Sequence, residues 1–73
     1  MARPRLYTVC ILHNDGTSSF VRAKGQHTLQ AANNALCMVP AGPRPFTVIV
    51  WLDPDFPMGV IYTFTDKGVE CRV

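Results

Sequence analysis

One segment of the chain has the residue spacing of an α-helix, and segments with the composition of β-strands lie on both sides of it. In residues 28–39 the apolar side chains recur at intervals of three and four residues, as they do along one face of a helix, at Leu29, Ala32, Leu36 and Val39. Thr28 is the predicted N-cap, because its hydroxyl can accept a hydrogen bond from a free amide of the first turn. Pro40 ends the helix. A single helix of this length can cover one face of a sheet and leaves the other face open.

Five segments are predicted to be strands because they are rich in β-branched and aromatic residues: 6–12, 17–23, 46–52, 60–65 and 69–73. Asn14, Asp15 and Gly16 separate the first two and accept positive φ, so they predict a β-hairpin. The order is ββαβββ. With 73 residues, the chain is predicted to be a single small α+β domain, residues 1–73, in which one helix packs on one face of a five-stranded antiparallel sheet.

Alternation of side chains along each predicted strand assigns residues to the two faces of the sheet. The helix-facing set, which forms the predicted core with the helix stripe, is Tyr7, Val9, Ile11, Phe46, Val48, Val50, Leu52, Val60, Tyr62, Phe64, Val69, Cys71 and Val73. The opposite face receives Ile49, Trp51 and Ile61, which predict an apolar patch. Such a patch on a small domain is typical of a contact surface. The alternatives are a one-residue slip of the strand assignment and an N-terminal arm that folds over the patch.

Charge restricts the partners that such a domain can have. Seven Lys and Arg residues against five Asp and Glu residues give a net charge of +2, which is too small for nucleic-acid binding by charge alone. Four basic residues near the predicted hairpin predict a modest basic patch: Arg3, Arg5, Arg22 and Lys24. Arg44, in the proline-rich loop of residues 40–45 (the proline loop), could add to this patch. The alternative is a set of solubilising charges on an edge strand. Phe56, in the loop after residue 52, is a second predicted contact element unless it folds back onto the core.

No motif in the chain indicates an enzyme, a cofactor or a metal site. Cys10 and His13 have the spacing of half a zinc site, but no second Cys/His pair lies nearby in the sequence. Asp53 and Asp55 could pair as catalytic carboxylates, yet Asp-Pro-Asp-x-Pro is ordinary turn chemistry. The three widely spaced cysteines indicate reduced thiols and a cytoplasmic location. We therefore expect no catalytic residue, no bound metal, no cofactor and no membrane span.

Part of the chain resembles a known family. A hairpin leads through Val21-x-Ala23 and a polar break into Thr28-Leu29-x-x-Ala32, and a last strand contains Asp66-Lys67-Gly68-Val69-Glu70-Cys71. In this arrangement the chain resembles the small phage-encoded anti-CRISPR proteins that inhibit type I CRISPR surveillance complexes. The resemblance implies stoichiometric inhibition by binding, which blocks target DNA binding or nuclease recruitment in the host cytoplasm. It implies no catalytic or ligand residue, because the group shares no common functional motif.

These observations predict a non-enzymatic protein-binding inhibitor whose partner is a larger protein or ribonucleoprotein complex. The predicted partner-binding residues are Arg3, Arg5, Arg22, Lys24, Ile49, Trp51, Phe56 and Ile61. Two alternatives stay open at this point. One is a small nucleic-acid-associated protein that uses the basic patch and exposed aromatic rings. The other is a homodimeric regulatory or structural domain that buries the apolar patch by self-association.

Overall fold

A computed structural model of the protein describes residues 3–52 and 59–72. In chain order the elements are β1 (Arg5–Leu12), β2 (Ser18–Gly25), α1 (Thr28–Met38), β3 (Phe46–Leu52), β4 (Val60–Thr65) and β5 (Gly68–Arg72). The strands form one five-stranded antiparallel sheet in the order β2-β1-β3-β4-β5. This confirms the predicted fold class and the ββαβββ order. Across the two described ranges, no helix combines the length and apolarity that crossing a membrane would need.

The first hairpin forms at the predicted Asn-Asp-Gly turn. Gly16 has a φ of 92°, a value that residues with a side chain rarely adopt. The Asp15 carboxylate accepts hydrogen bonds from the Thr17 amide (2.9 Å) and from the Thr17 hydroxyl (2.6 Å). These bonds lower the pKa of Asp15, because they stabilise its charged form. The turn sets the register in which Val9 of β1 lies opposite Val21 of β2.

The core lies between α1 and the sheet, and it consists of the side chains that alternation assigned to that face. Val9, Ile11, Val48 and Val50 have no exposed surface. At the end of the sheet where β3 begins, the ring of Phe46 stacks on that of Phe64, with centroids 4.8 Å apart and planes 10° apart. Strands β1 and β3 form the centre of this layer, because each pairs with a strand on both sides and packs against the helix.

The buried stripe of the helix coincides only in part with the predicted one: Ala32 is fully buried as predicted, and Leu36 and Val39 pack against the core. The buried residues of α1 are Ala31, Ala32 and Ala35, whereas Leu29 is 37% exposed and Leu36 and Val39 are only partly buried. The physical reason is close packing at Gly25, where an added Cβ would lie 2.6 Å from the backbone nitrogen of Ala31. Because the helix approaches the end of β2 this closely, small alanine side chains fill the contact, Leu29 is exposed and Leu36 packs at the margin of the core.

The helix also begins differently from the prediction. The N-cap is His27, not Thr28: the imidazole Nδ1 of His27 accepts a hydrogen bond from the Gln30 amide at 3.3 Å. Thr28 is the first helical residue, and its hydroxyl lies 2.6 Å from the Tyr62 hydroxyl of β4. The threonine therefore connects the start of α1 to the sheet instead of capping the helix.

The edge strand β5 is less buried than predicted. Val69 is 47% exposed and Cys71 is exposed, although both belong to the helix-facing side of the sheet. The helix packs over β2, β1 and β3, so it does not extend to the edge strand on the far side of β4. Val73, which was also predicted to lie in the core, is outside the described residues.

Candidate functional site

The face of the sheet that α1 does not cover, here called the open face, carries an apolar row across four strands. Cys10 of β1 lies opposite Phe20 of β2 on one side and opposite Ile49 of β3 on the other. Ile49 in turn lies opposite Ile61 of β4. We call Phe20, Cys10, Ile49 and Ile61 the apolar row. Ile49, Trp51 and Ile61 lie on this face as predicted, and the register excludes a one-residue slip.

Trp51 stands beside the apolar row and makes a contact with Phe20. The two rings meet edge to face, with centroids 6.5 Å apart and planes 77° apart. Together with Cys10 and Ile49 they surround a shallow apolar concavity of about 330 Å³. Phe20 is nevertheless 69% exposed, and Ile61 is 37% exposed. The open face thus presents a concave apolar surface with a protruding aromatic ring at one side.

Cys10 lies at the floor of this concavity and is buried, although no helix covers it. Burial raises the pKa of the Cys10 thiol, because the thiolate would lose its hydration. A thiol in that state is a poor nucleophile and behaves as a small apolar side chain. Cys10 therefore lines the concavity as a small apolar side chain.

The structure divides the basic residues that were predicted to form one patch. Arg22 and Lys24 lie on the open face, opposite Thr8 and Leu6. Arg5 lies opposite Gly25, so strand alternation places it on the helix-facing side, and Arg3 is exposed before β1 begins. The open face keeps two of the four predicted cations near one edge of the apolar row.

Arg44 lies at the opposite end of the sheet from Arg22. Its guanidinium donates a hydrogen bond to the Thr65 carbonyl at 2.7 Å and lies 5.8 Å from the centre of the Phe64 ring. Thr65 follows Phe64, which pairs with Phe46 at the start of β3. Arg22 lies opposite Thr8, which pairs with Trp51 near the end of β3. Arg44 therefore fixes the proline loop against β4 and does not extend the cationic edge.

Within the described part of the chain, the remaining chemistry-bearing side chains do not assemble into a site. His13 is held by the Ala41 carbonyl at Nδ1 (2.9 Å) and by the Ser19 hydroxyl at Nε2 (2.8 Å), and Ser19 pairs with Ile11 of the helix-facing set. Cys10 lies on the other side of the sheet. Among residues 3–52 and 59–72, no three His, Cys, Asp or Glu side chains are grouped so that they could hold a metal ion. Asp53, Asp55 and Phe56 are outside the described residues.

The sequence predicted that Phe20 lies in a strand, but it did not assign Phe20 to either face of the sheet. The Asn-Asp-Gly turn carried the missing signal, because the register that it sets puts Phe20 opposite Cys10. No known protein family, curated protein or solved structure matches the chain.

Proposed function

We propose that the protein is a non-enzymatic binding module that docks the open face of its sheet against a partner protein. The observation that carries this proposal is the apolar row, in which Phe20 is 69% exposed beside the concavity walled by Trp51. Exposed apolar surface that continues over several strands is unfavourable in water and is typical of protein contact sites. Aromatic anchors beside a shallow apolar pocket are the usual energetic centre of such contacts.

The charges around the apolar row define the chemistry of the partner. Arg22 and Lys24 lie on β2 at one edge of the open face, and Arg72 lies opposite Ile61 at the other edge. Glu70 is the one acidic residue that the described strands place on this face. The surface thus fits a partner with an apolar centre and acidic side chains around it. Complementary charge at the rim fixes orientation and increases the association rate.

The specific form of the proposal is inhibition of a type I CRISPR surveillance complex by stoichiometric binding. Its support is the sequence resemblance in residues 21–35 and 66–71. The first of these segments includes Arg22 of the open face, and the second includes Glu70 of the same face. Stoichiometric inhibition needs a complementary surface and no catalytic group, which agrees with what the open face offers.

The test uses a purified type I surveillance complex and measures its binding to target DNA at increasing ratios of this protein. We expect loss of target binding at about one equivalent or a few equivalents, together with co-elution of the two components. Phe20→Ser and Ile61→Ser should each abolish both effects, because they place a polar group in the apolar row. Met38→Ser is the matched control: Met38 is 53% exposed but lies on α1, away from the open face.

Three outcomes separate the alternatives. If the complex does not co-elute with the protein and retains full DNA binding, the anti-CRISPR form is wrong. Co-elution that Phe20→Ser and Ile61→Ser leave unchanged would contradict docking through the open face. A labelled single-stranded oligonucleotide forms the third arm. If it binds with a steep salt dependence that Arg22→Ala reduces, the protein is a nucleic-acid binder instead.

A further inference from the structure

We infer that β5 is a pairing edge for a second copy of this chain, in which the two β5 strands lie antiparallel with Cys71 opposite Cys71 of the other copy. The sheet order places β5 at an edge, with β4 on one side of it and no strand of the described chain on the other. Such pairing would join two sheets into one ten-stranded sheet, which is within the size that open sheets reach. The inference concerns self-association and does not depend on the partner proposed above.

The backbone of β5 has hydrogen-bonding groups available at its free edge. Thr65 and Gly68 close the β4–β5 hairpin across a two-residue turn, and hydrogen-bonded pairs alternate with non-bonded pairs from that point. Glu70 and Arg72 therefore direct their amides and carbonyls to β4. Val69 and Cys71 direct theirs outward, where they can bond to a further strand.

The charges of β5 are self-complementary in one antiparallel register. Glu70 and Arg72 both lie on the open face, opposite Thr63 and Ile61, so neither faces an opposite charge across the β4–β5 ladder. With Cys71 at the two-fold axis, Glu70 of each copy lies opposite Arg72 of the other. These are non-hydrogen-bonded pairs, in which the side chains approach most closely. Two cross-strand ion pairs form, and opposite charges in that position stabilise a sheet.

The neighbouring registers are unfavourable. Moving the axis by one residue along β5 slides the two strands past each other by two residues. In one direction this centres the axis on Glu70 and places two carboxylates opposite each other. The same shift in the other direction centres it on Arg72 and places two guanidinium groups opposite each other. Like charges directly opposite destabilise strand pairing, so the sequence of β5 selects the register with Cys71 at the centre.

The other edge strand, β2, is protected from pairing with β2 of a second copy. The sequence of β2 is Ser-Ser-Phe-Val-Arg-Ala-Lys-Gly, which contains two cations and no acid. Two β2 edges would therefore bring Arg22 and Lys24 of both copies close together, and β2 itself supplies no acidic side chain. Basic side chains on an edge strand are a common device against unwanted pairing. The asymmetry between the two edges favours a closed dimer over an extended filament.

Pairing through β5 also covers apolar surface that α1 leaves exposed. Val69, which is 47% exposed, and Cys71 lie on the helix-facing side of the sheet edge. The two-fold axis runs perpendicular to the sheet, so both helices lie on one side and both open faces on the other. The dimer would present two apolar rows in one continuous surface and could bind a partner with repeated sites.

Sedimentation velocity of the purified chain, over a wide range of protein concentration, tests the dimer and its register. We expect a concentration-dependent monomer–dimer equilibrium. Arg72→Glu and Glu70→Arg should each weaken it at least about tenfold, because each creates like-charge pairs. The double variant Glu70→Arg/Arg72→Glu should restore it. Lys67→Glu is the matched control, since it changes the charge as Arg72→Glu does but lies in the turn.

Oxidative trapping provides a readout that is specific to the centre of the register. Diamide accepts two electrons and two protons from a pair of thiols, and the two sulfur atoms form a disulfide. Cys71 residues in directly opposed positions are within the Cα separation that a disulfide spans. Diamide should trap the Cys37→Ser variant as a covalent dimer, whereas Cys71→Ser should stay monomeric on a non-reducing gel. Arg72→Glu in the Cys37→Ser background should lose the trapped dimer, and the charge-swapped double variant should regain it.

The inference is wrong if the chain remains monomeric at all concentrations, or if the charge-swapped variant fails to recover the association that the single variants lose. Trapping through Cys37 in the Cys71→Ser variant would also overturn it. Neither assay contains a binding partner, so these results are independent of the proposed function. Circular dichroism of each variant establishes that a loss of association does not come from unfolding.

Discussion

Phe20 and Trp51 meet edge to face on the open side of the sheet, with ring centroids 6.5 Å apart, although β1 lies between the strands that carry them. The two rings meet over β1 and line the same concavity as Cys10, which is only 6% exposed. An exposed ring thus shields a thiol that no helix covers. The reactivity of the thiol can therefore report whether the two rings stay in contact.

The first prediction uses this reporter. Phe20→Ala removes one side of the aromatic contact, so water gains access to Cys10 and the raised pKa of its thiol falls towards the ordinary value. Ellman's reagent should therefore react with Cys10 at least about tenfold faster, in a Cys37→Ser/Cys71→Ser background in which Cys10 is the one remaining thiol. Met38→Ala is the control and should leave the rate unchanged. An unchanged rate in Phe20→Ala would show that Phe20 does not shield the thiol.

The second prediction concerns Trp51. Trp51→Ala should weaken partner binding at least about tenfold, because large aromatic side chains at the centre of an interface carry much of the binding energy. The fold should persist, since Trp51 lies on the open face and is not part of the core cluster between α1 and the sheet. Isothermal titration calorimetry measures the first effect and thermal unfolding the second. Loss of cooperative unfolding in this variant would instead assign Trp51 to the core.

The sequence predicted most of the sheet, because alternation is a local property of each strand. The separation of Val48 and Val50 from Ile49 and Trp51 could be read from residues 46–52 alone, and the register confirms it. The contact of Phe20 with Trp51 could not be read in this way, since it depends on the register of two strands at once. Alternation within a strand identifies the residues that share a face of the sheet, but it does not identify their contacts with residues of other strands.

The errors in the helix and in β5 have a common origin. The prediction buried Leu29 and not Ala31, because leucine is the more hydrophobic residue. The distance between α1 and the sheet is set by Gly25, however, and at that distance alanine fits. In the same way, the alternation of Val69 and Cys71 predicted burial without indicating how far the helix reaches across the sheet. Both quantities are tertiary distances, and no periodicity within a segment encodes them.

The third prediction tests this close approach of α1. Gly25→Ala places a Cβ 2.6 Å from the Ala31 nitrogen and 3.0 Å from the Ala31 Cα, so the start of the helix must move. We expect a loss of about 1–3 kcal/mol in the free energy of unfolding, as for other overpacked sites. Urea denaturation followed by circular dichroism measures it.

Lys24→Ala, at the exposed neighbouring position, is the control for Gly25→Ala and should stay within about 0.5 kcal/mol of the unmodified chain. Equal stability of Gly25→Ala and Lys24→Ala would mean that α1 stands farther from β2 than this packing requires. A loss confined to Gly25→Ala would identify the glycine as the residue that sets the spacing.

The fourth prediction concerns the hydrogen bond between Thr28 and Tyr62, whose hydroxyl oxygens lie 2.6 Å apart. Tyr62 is 7% exposed and Thr28 is half-buried, so the bond is partly shielded from water. It joins the first residue of α1 to β4, a strand outside the helix's main contacts. Tyr62→Phe and Thr28→Val should each lower the free energy of unfolding by about 0.5–1.5 kcal/mol. Threonine and valine have similar helix propensities, so the second value mainly reports the bond.

The double variant decides whether the two losses share one cause. If the hydroxyl groups stabilise the fold through each other, Tyr62→Phe/Thr28→Val should lose little more than either single variant, and the coupling energy from the double-mutant cycle should be close to one single loss. Fully additive losses would show that each hydroxyl acts through other partners. In that case the first turn of α1 would be positioned by the His27 cap and the close packing at Gly25, and Tyr62 would contribute only its ring to the core.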